Sequence, residues 1–92
     1  MADLDGNAAG GTLGALLGFD FTAAEVRCRH CGTAGPGATT VVEIDAVGVI
    51  VRCRHCTRTL LTHVRGPDGR VVLLTPGLAS ITSAGTGRSG QT

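Results

Sequence analysis

VRCRHC stands twice in the sequence, at residues 26–31 and again at residues 51–56. Each copy holds a C-x-x-C motif, and together they contain all 4 cysteines of the 92-residue chain. A C-x-x-C turn lets two sulfurs converge on one point, and two such turns supply the four thiolates of a tetrahedral zinc site. The repeat therefore predicts one four-cysteine Zn²⁺ site, with the ligands Cys28, Cys31, Cys53 and Cys56.

Two other uses of paired cysteines have to be weighed against zinc. A redox dithiol of the thioredoxin type needs its C-x-x-C motif at the start of a helix that follows a strand, whereas both motifs here lie between β-like segments. An iron site of the rubredoxin kind uses the same four-thiolate geometry, so iron remains the alternative metal.

The composition describes one small globular domain. The chain is 42% hydrophobic and 16% charged, which is typical of a folded protein, and its length allows a single core. Only two residues are aromatic, Phe19 and Phe21, so the side chains that usually provide the largest burials are nearly missing. Small proteins of this kind often depend on a structural metal.

Residues 4–18 predict a Gly-rich N-terminal helix, with Asp5 or Asn7 as its cap and Gly18 at its end. Its apolar residues form one stripe, which comprises Ala9, Leu13, Leu16 and Leu17. Its glycines recur every fourth residue, at positions 6, 10, 14 and 18. The first interpretation is that this helix packs on the protein's own sheet, and the alternative is that it binds a partner, either another protein or a second copy of the chain in a homodimer.

Residues 22–75 predict an antiparallel β region around the cysteines. Four segments rich in β-branched residues suit an antiparallel meander: Thr39–Asp45, Val47–Arg52, Thr59–Arg65 and Arg70–Thr75. In the third segment His63 is expected to face solvent. Residues 77–92 read as a flexible C-terminal tail. The expected fold is thus a small zinc-stabilised β protein, an antiparallel meander with one N-terminal helix.

Residues 26–65 resemble a zinc ribbon, in which two cysteine knuckles on adjacent hairpins share one metal. Four pieces together resemble a family of small bacterial zinc-ribbon proteins of unknown function: LDGNA at residues 4–8, Thr22-Ala23, Cys31-Gly32 and the stretch from Gly48 through Arg52-Cys53. The resemblance implies that residues 22–75 are a zinc ribbon, so the expected fold class is a zinc-ribbon-like antiparallel meander with one N-terminal helix. The resemblance covers roughly residues 4–75 and implies the fold without an activity. The second knuckle departs from the commoner pattern, with Arg54 in place of Pro and Thr57 in place of Gly, so its loop is expected to be more strained.

Five arginines crowd the two motifs: Arg27, Arg29, Arg52, Arg54 and Arg58. They can offset the negative charge of a zinc–thiolate centre, or they can contact a partner. His30 and His55 each lie between two ligands, so both are expected to point into solvent. The absence of aromatic residues within the ribbon disfavours stacking on nucleic acid bases and leaves only backbone contacts.

No catalytic constellation is visible, and a four-cysteine zinc site leaves no open position for water, so no enzymatic activity is expected. The acidic opening MADLD differs from a secretory signal, and no apolar stretch reaches the ~20 residues of a membrane span. A cytoplasmic location is expected.

The leading hypothesis is a non-catalytic zinc-ribbon module that binds another protein. The alternatives are binding of the nucleic acid backbone by the knuckle arginines and electron transfer by a rubredoxin-like iron centre.

Overall fold

In the computed structural model, residues 3–83 are described, and they form two antiparallel sheets and one helix. The larger sheet has five strands in the order β1-β4-β5-β6-β7. Its strands are β1 (Asp3–Asp5), β4 (Val41–Ile44), β5 (Gly48–Arg52), β6 (Thr59–Arg65) and β7 (Val71–Leu74). The smaller sheet has the order β3-β2-β8. Its strands are β2 (Glu25–Cys28), β3 (Ala34–Pro36) and β8 (Leu78–Thr82).

The antiparallel meander predicted from the sequence is confirmed. Strands β4 to β7 pair in succession, and the four segments rich in β-branched residues contain all four strands. The turn between β6 and β7 contains Gly69 with φ +85°, in agreement with the turn residues of the sequence. Because these pairings are local in sequence, the pattern of β-branched runs and turns was sufficient to predict them.

The N-terminal segment is only partly helical. The α-helix α1 covers Gly10–Leu17, after one turn of 3₁₀ helix at Gly6–Ala9. Asp5 caps the 3₁₀ turn, since its carboxylate accepts the Asn7 backbone N–H at 3.1 Å. Gly18 ends α1 with φ +82°. The prediction of one helix over residues 4–18 is therefore wrong at its start. Residues 3–5 instead form β1, which pairs with the edge of β4 and so satisfies backbone N–H and C=O groups of β4 at that edge.

The spaced glycines lie against the protein's own chain. A Cβ at Gly6 would overlap the carbonyl oxygen of Gly37, and one at Gly10 would lie 2.9 Å from Thr22. A Cβ at Gly14 would lie 3.6 Å from the carbonyl oxygen of Phe19. Gly6 and Gly10 thus serve close packing within one chain, whereas a Cβ at Gly18 would meet no described atom within 4 Å.

The core lies between α1 and the five-stranded sheet. Leu13 and Phe21 are fully buried, and they belong to the same apolar cluster as strand residues Val42, Val51 and Leu61. Of the predicted apolar stripe, Ala9 is also fully buried and Leu17 packs against the cluster, whereas Leu16 remains 40% exposed.

His63 is buried, so the prediction that it faces solvent is wrong. Its side chain is 4% exposed and lies on the same face of β6 as the buried Leu61. Across the strands it pairs with buried Val49 on one side and with Leu73 on the other. Within residues 3–83 its Nδ1 has no hydrogen-bond partner. Alternation along a strand separates the two faces but does not tell which of them the rest of the chain will cover.

The C-terminal region contains a strand that the sequence interpretation missed. β8 pairs with β2 over residues 78–82, so the flexible tail predicted for residues 77–92 is wrong for its first part. The strand forms there because β2 has an unpaired side that only a segment far away in sequence can fill. Residues 84–92 of the predicted tail lie outside the described residues.

Candidate metal centre

Each C-x-x-C motif follows the end of a strand. Cys28 is the last residue of β2, in the small sheet, and Cys53 comes directly after β5, in the large sheet. The strand register shifts between Arg27 and Cys28, and again between Val51 and Arg52. Such irregularities bend a strand and redirect its side chains. Both cysteine turns therefore leave their sheets at a bent strand end.

The two turns, here called knuckle 1 (residues 28–33) and knuckle 2 (residues 53–58), have the same backbone hydrogen bonds. In knuckle 1, the Cys28 N–H donates to the Thr33 carbonyl at 2.9 Å, and the Gly32 N–H donates to the Cys28 carbonyl at 3.0 Å. In knuckle 2, the Cys53 N–H donates to the Arg58 carbonyl at 2.9 Å, and the Thr57 N–H donates to the Cys53 carbonyl at 3.0 Å. The repeated sequence is thus a repeated structure.

The four sulfurs converge on one point. All four Sγ atoms lie within 4.8 Å of one another. The two short separations each join the knuckles, with 3.6 Å from Cys28 to Cys56 and 3.7 Å from Cys31 to Cys53. A tetrahedral metal with bonds of about 2.3 Å holds its sulfurs about 3.8 Å apart, close to these values. The cluster is therefore of the right size to hold one metal ion, as predicted from the sequence.

Backbone groups and neighbours set the protonation of the thiols. The pKa of Cys31 is lowered to about 5, mainly because the hydroxyl of Thr33, 3.3 Å from its Sγ, stabilises the thiolate. At Cys56 the Arg58 backbone N–H acts to lower the pKa, but burial and the three other thiols raise it to about 11. Crowded sulfurs cannot all ionise without a cation, so the cluster favours metal binding over the free thiols.

Most of the knuckle arginines bind the chain itself. Arg27 donates to the Gly32 carbonyl at 3.0 Å, Arg29 donates to the Pro76 carbonyl at 3.3 Å, and the Arg54 Nε donates to the Thr39 carbonyl. Arg52 forms an ion pair with Glu43 at 3.0 Å. Within residues 3–83, no hydrogen bond or ion pair involves the Arg58 side chain. The sequence placed these residues beside the cysteine cluster but did not show that three of the five brace loops and that a fourth, Arg52, links β5 to β4.

His30 and His55 are both exposed, as predicted from their position between two ligands. The first cysteine of each loop, Cys28 or Cys53, is buried, whereas the histidine two residues later is exposed. Neither histidine belongs to the group of candidate ligands that the four sulfurs form.

A cavity of about 340 Å³ lies beside the sulfur cluster, and the sequence interpretation did not anticipate it. Cys28 and Cys53 form part of its wall, together with the apolar residues Val26, Ala34 and Leu60. Arg54 and His55, both exposed, also line it. The cavity lies where the two sheets meet, and only the pairing of distant segments creates it.

These features define the class of protein: a small β-rich domain with antiparallel sheets, one N-terminal helix and a four-cysteine cluster consistent with a zinc-ribbon-like site. The chain belongs to a family of unknown function (DUF6510), whose model matches residues 1–85. No curated protein and no solved structure matches the chain. Among the described residues, no helix has the length and apolar character needed to cross a membrane.

Proposed function

We propose that this protein is a zinc-stabilised, non-catalytic module that binds another protein. The observation that carries the proposal is the convergence of four thiols, two from each knuckle, at the junction between the two sheets. A metal at this point ties the two sheets together and fixes the surface around the junction.

Zinc is the metal that suits this site and this fold. Four-cysteine sites with C-x-x-C spacing hold structural Zn²⁺ in tetrahedral geometry, and the sulfur separations of 3.6 and 3.7 Å agree with it. Structural zinc contributes about 10–16 kcal/mol of apparent binding free energy in finger peptides. That is comparable with the entire stability of a small domain, about 5–15 kcal/mol. The shortage of aromatic side chains in the core makes such a contribution necessary.

The proposal excludes catalysis at the metal for a chemical reason. A catalytic zinc keeps one coordination position for water or substrate, whereas four thiolates occupy all positions of a tetrahedral ion. Among residues 3–83, the four cysteines are the single group of three or more close metal-binding side chains. The centre therefore acts through the surface it stabilises.

The cavity beside the knuckles supports protein binding. Its wall offers the apolar side chains of Val26, Ala34 and Leu60 to a side chain of a partner, and Arg54 supplies a positive charge. The hydrogen bond from the Arg54 Nε to the Thr39 carbonyl holds the guanidinium in place, and it leaves the two Nη groups of Arg54 for a carboxylate. The chemistry fits an extended segment that carries one apolar residue next to an acidic one.

Metal analysis tests the first half of the proposal. Protein purified without added metal should contain one Zn²⁺ per chain by mass spectrometry of the native state, and it should be colourless. A red protein with a reversible redox couple would replace the zinc module by the iron electron carrier.

Peptide selection tests the second half. Zinc-loaded protein should enrich displayed peptides with an apolar residue beside Asp or Glu, and Arg54→Glu should abolish the enrichment. Arg70→Glu is the matched control, because Arg70 lies outside the cavity and should leave the selection unchanged. Equal enrichment by Arg54→Glu and the native protein, or retention of DNA or RNA at low salt in place of peptides, would overturn the protein-binding role.

A further inference from the structure

Strand β7 presents an uninterrupted apolar sequence at the edge of the five-stranded sheet. Its residues Val71, Val72, Leu73 and Leu74 are 43%, 51%, 37% and 52% exposed. Sheet edges are normally protected by charged residues, proline or a covering element, and strands that are apolar on both faces normally lie inside a sheet. β7 contains no charged residue and no proline. The apolar strand thus lies where a protected one is expected.

The backbone of β7 has a free side. The Gly66 N–H donates to the Arg70 carbonyl at 2.8 Å, and the register then pairs Val64 with Val72. Since hydrogen bonds alternate along an antiparallel pair, residues 72 and 74 bond to β6, while the N–H and C=O groups of Val71 and Leu73 point away from the sheet. Within residues 3–83, no strand pairs with this outer side of β7.

The apolar surface continues from β7 onto the face of the sheet. Val72 lies beside Val64, and Leu74 lies beside Thr62, which in turn adjoins Ile50. All three neighbours are half-buried. A strand added at the β7 edge would therefore extend an existing apolar face as well as complete the backbone hydrogen bonds.

The edge is complementary to itself. Antiparallel pairing about a two-fold axis sets valines and leucines of one copy against valines and leucines of the other, and apolar cross-strand pairs stabilise a sheet. Two arginines adjoin the strand. The Arg70 Nε lies 3.3 Å from the Asp68 carboxylate, and Arg65 pairs with Val71 from the inner side of β7, away from the edge that a second copy would join. The charge of Arg70 is therefore balanced within each copy.

The chain's own C-terminal residues are poorly suited to this edge. Residue 83 follows β8, which lies in the other sheet. Residues 84–92, with the sequence AGTGRSGQT, contain three glycines and a single apolar side chain, Ala84. Such a composition has low strand propensity and no side chains to match valine and leucine.

We propose that β7 pairs with β7 of a second copy of this chain, which joins the two five-stranded sheets into one continuous antiparallel sheet. The interface is short, so the dimer belongs to the smaller, concentration-dependent class of assemblies. This dimer differs from the helix-mediated dimer considered from the sequence, because it uses the sheet edge, and because Gly6 and Gly10 of the helical segment already lie against their own chain. It does not depend on which metal the cysteines bind.

Sedimentation velocity of the metal-loaded full chain, from low micromolar to several hundred micromolar, tests the proposal. We expect a reversible monomer–dimer equilibrium. Val72→Lys should raise the dissociation constant on the order of 30-fold, the effect of losing one central interface residue. Val47→Lys is the matched control, because Val47 is 58% exposed but lies in the β4–β5 turn, and the dissociation constant should stay the same. A monomer at every concentration, or an equal effect of both variants, would overturn the proposal.

A proline scan separates loss of the edge from loss of the fold. Leu73→Pro removes an N–H that points away from β6, so it should abolish the dimer and keep the β6–β7 hairpin. Val72→Pro removes an N–H that bonds to β6 and should damage the hairpin itself. A dimer that persists in Leu73→Pro would contradict edge pairing.

Amide hydrogen exchange identifies the occupant residue by residue. In the dimer, the amides of Val71 and Leu73 should be protected at high concentration and exchange rapidly on dilution, whereas those of Val72 and Leu74 should be protected at both concentrations. Protection of Val71 and Leu73 that is independent of concentration and disappears when residues 84–92 are deleted would assign the edge to the chain's own tail and overturn the proposal.

Discussion

Knuckle 1 and knuckle 2 begin with the same four residues, CRHC, and have the same backbone hydrogen bonds, but they differ at the residue after the second cysteine. Gly32 occupies this position in the first with φ +79°, and Thr57 occupies it in the second with φ +67°. A β-branched residue rarely adopts a positive φ, so the second turn is held against the preference of its own sequence. The difference teaches that the hydrogen-bonded form of the turn, which the two knuckles share, rather than the local sequence, decides this backbone conformation. It also confirms the strain expected from the sequence at Thr57.

The largest expected effect is the loss of either knuckle. Cys28→Ser and Cys53→Ser should each abolish metal binding and cooperative unfolding, because each removes a buried sulfur from a centre that joins both sheets. Metal content by mass spectrometry and thermal denaturation by circular dichroism provide the measurements. If one variant kept its metal and its melting transition while the other lost both, the knuckles would not be equivalent.

Acid should release the metal. In the metal-free protein the pKa of Cys56 is raised to about 11, so at pH 7 a proton has to leave this thiol when a metal binds. The pKa of Cys31 is lowered to about 5, so this thiol adds a further proton to the competition only below about pH 5. Affinity should therefore fall as the pH decreases, and more steeply below pH 5. Chelator competition from pH 8 to pH 4 measures it, and an affinity independent of pH would contradict thiolate coordination.

A reciprocal exchange at the fifth position of each knuckle should have an intermediate effect. Thr57→Gly should stabilise the protein by about 1 kcal/mol, because relief of about 1–3 kcal/mol of strain exceeds the added flexibility of glycine. Gly32→Thr should destabilise it by about 1–2 kcal/mol for the same reason. Urea denaturation of the metal-loaded protein measures both. Arg58→Gly is the control. Thr57 is the only non-glycine residue with positive φ in residues 3–83, so glycine at position 58 relieves no strain and should only destabilise the protein.

The smallest expected effect concerns equivalent arginines of the two knuckles. Arg29→Ala removes a hydrogen bond to the Pro76 carbonyl, and Arg54→Ala removes one to the Thr39 carbonyl. Both side chains are exposed, so each change should cost about 1 kcal/mol or less. Arg58→Ala, which removes no such contact in the described residues, should be neutral in the same urea assay. A loss several times larger for Arg29→Ala or Arg54→Ala would assign these residues a role in holding the metal centre.

Local patterns in the sequence were sufficient for the hairpins and the candidate ligands. The β4–β7 meander follows from alternating β-branched runs and turn residues, and the four sulfurs converge as their spacing predicted. Three features were not predictable in this way. β1 and β8 each pair with a strand distant in sequence, and His63 is buried although its side of β6 carries a polar pattern.

By itself, the sequence determined that two identical cysteine turns exist and that a run of strands lies around them, because both depend on residues close together in the chain. Only the tertiary structure decided which distant segments fill the open sides of β2 and β4, which face of β6 is covered, and that β7 remains an apolar edge. The physical reason is that an unpaired strand edge or an uncovered apolar face can be satisfied by any suitable segment. Which segment satisfies it is settled when the whole chain packs around one core and one cluster of cysteines.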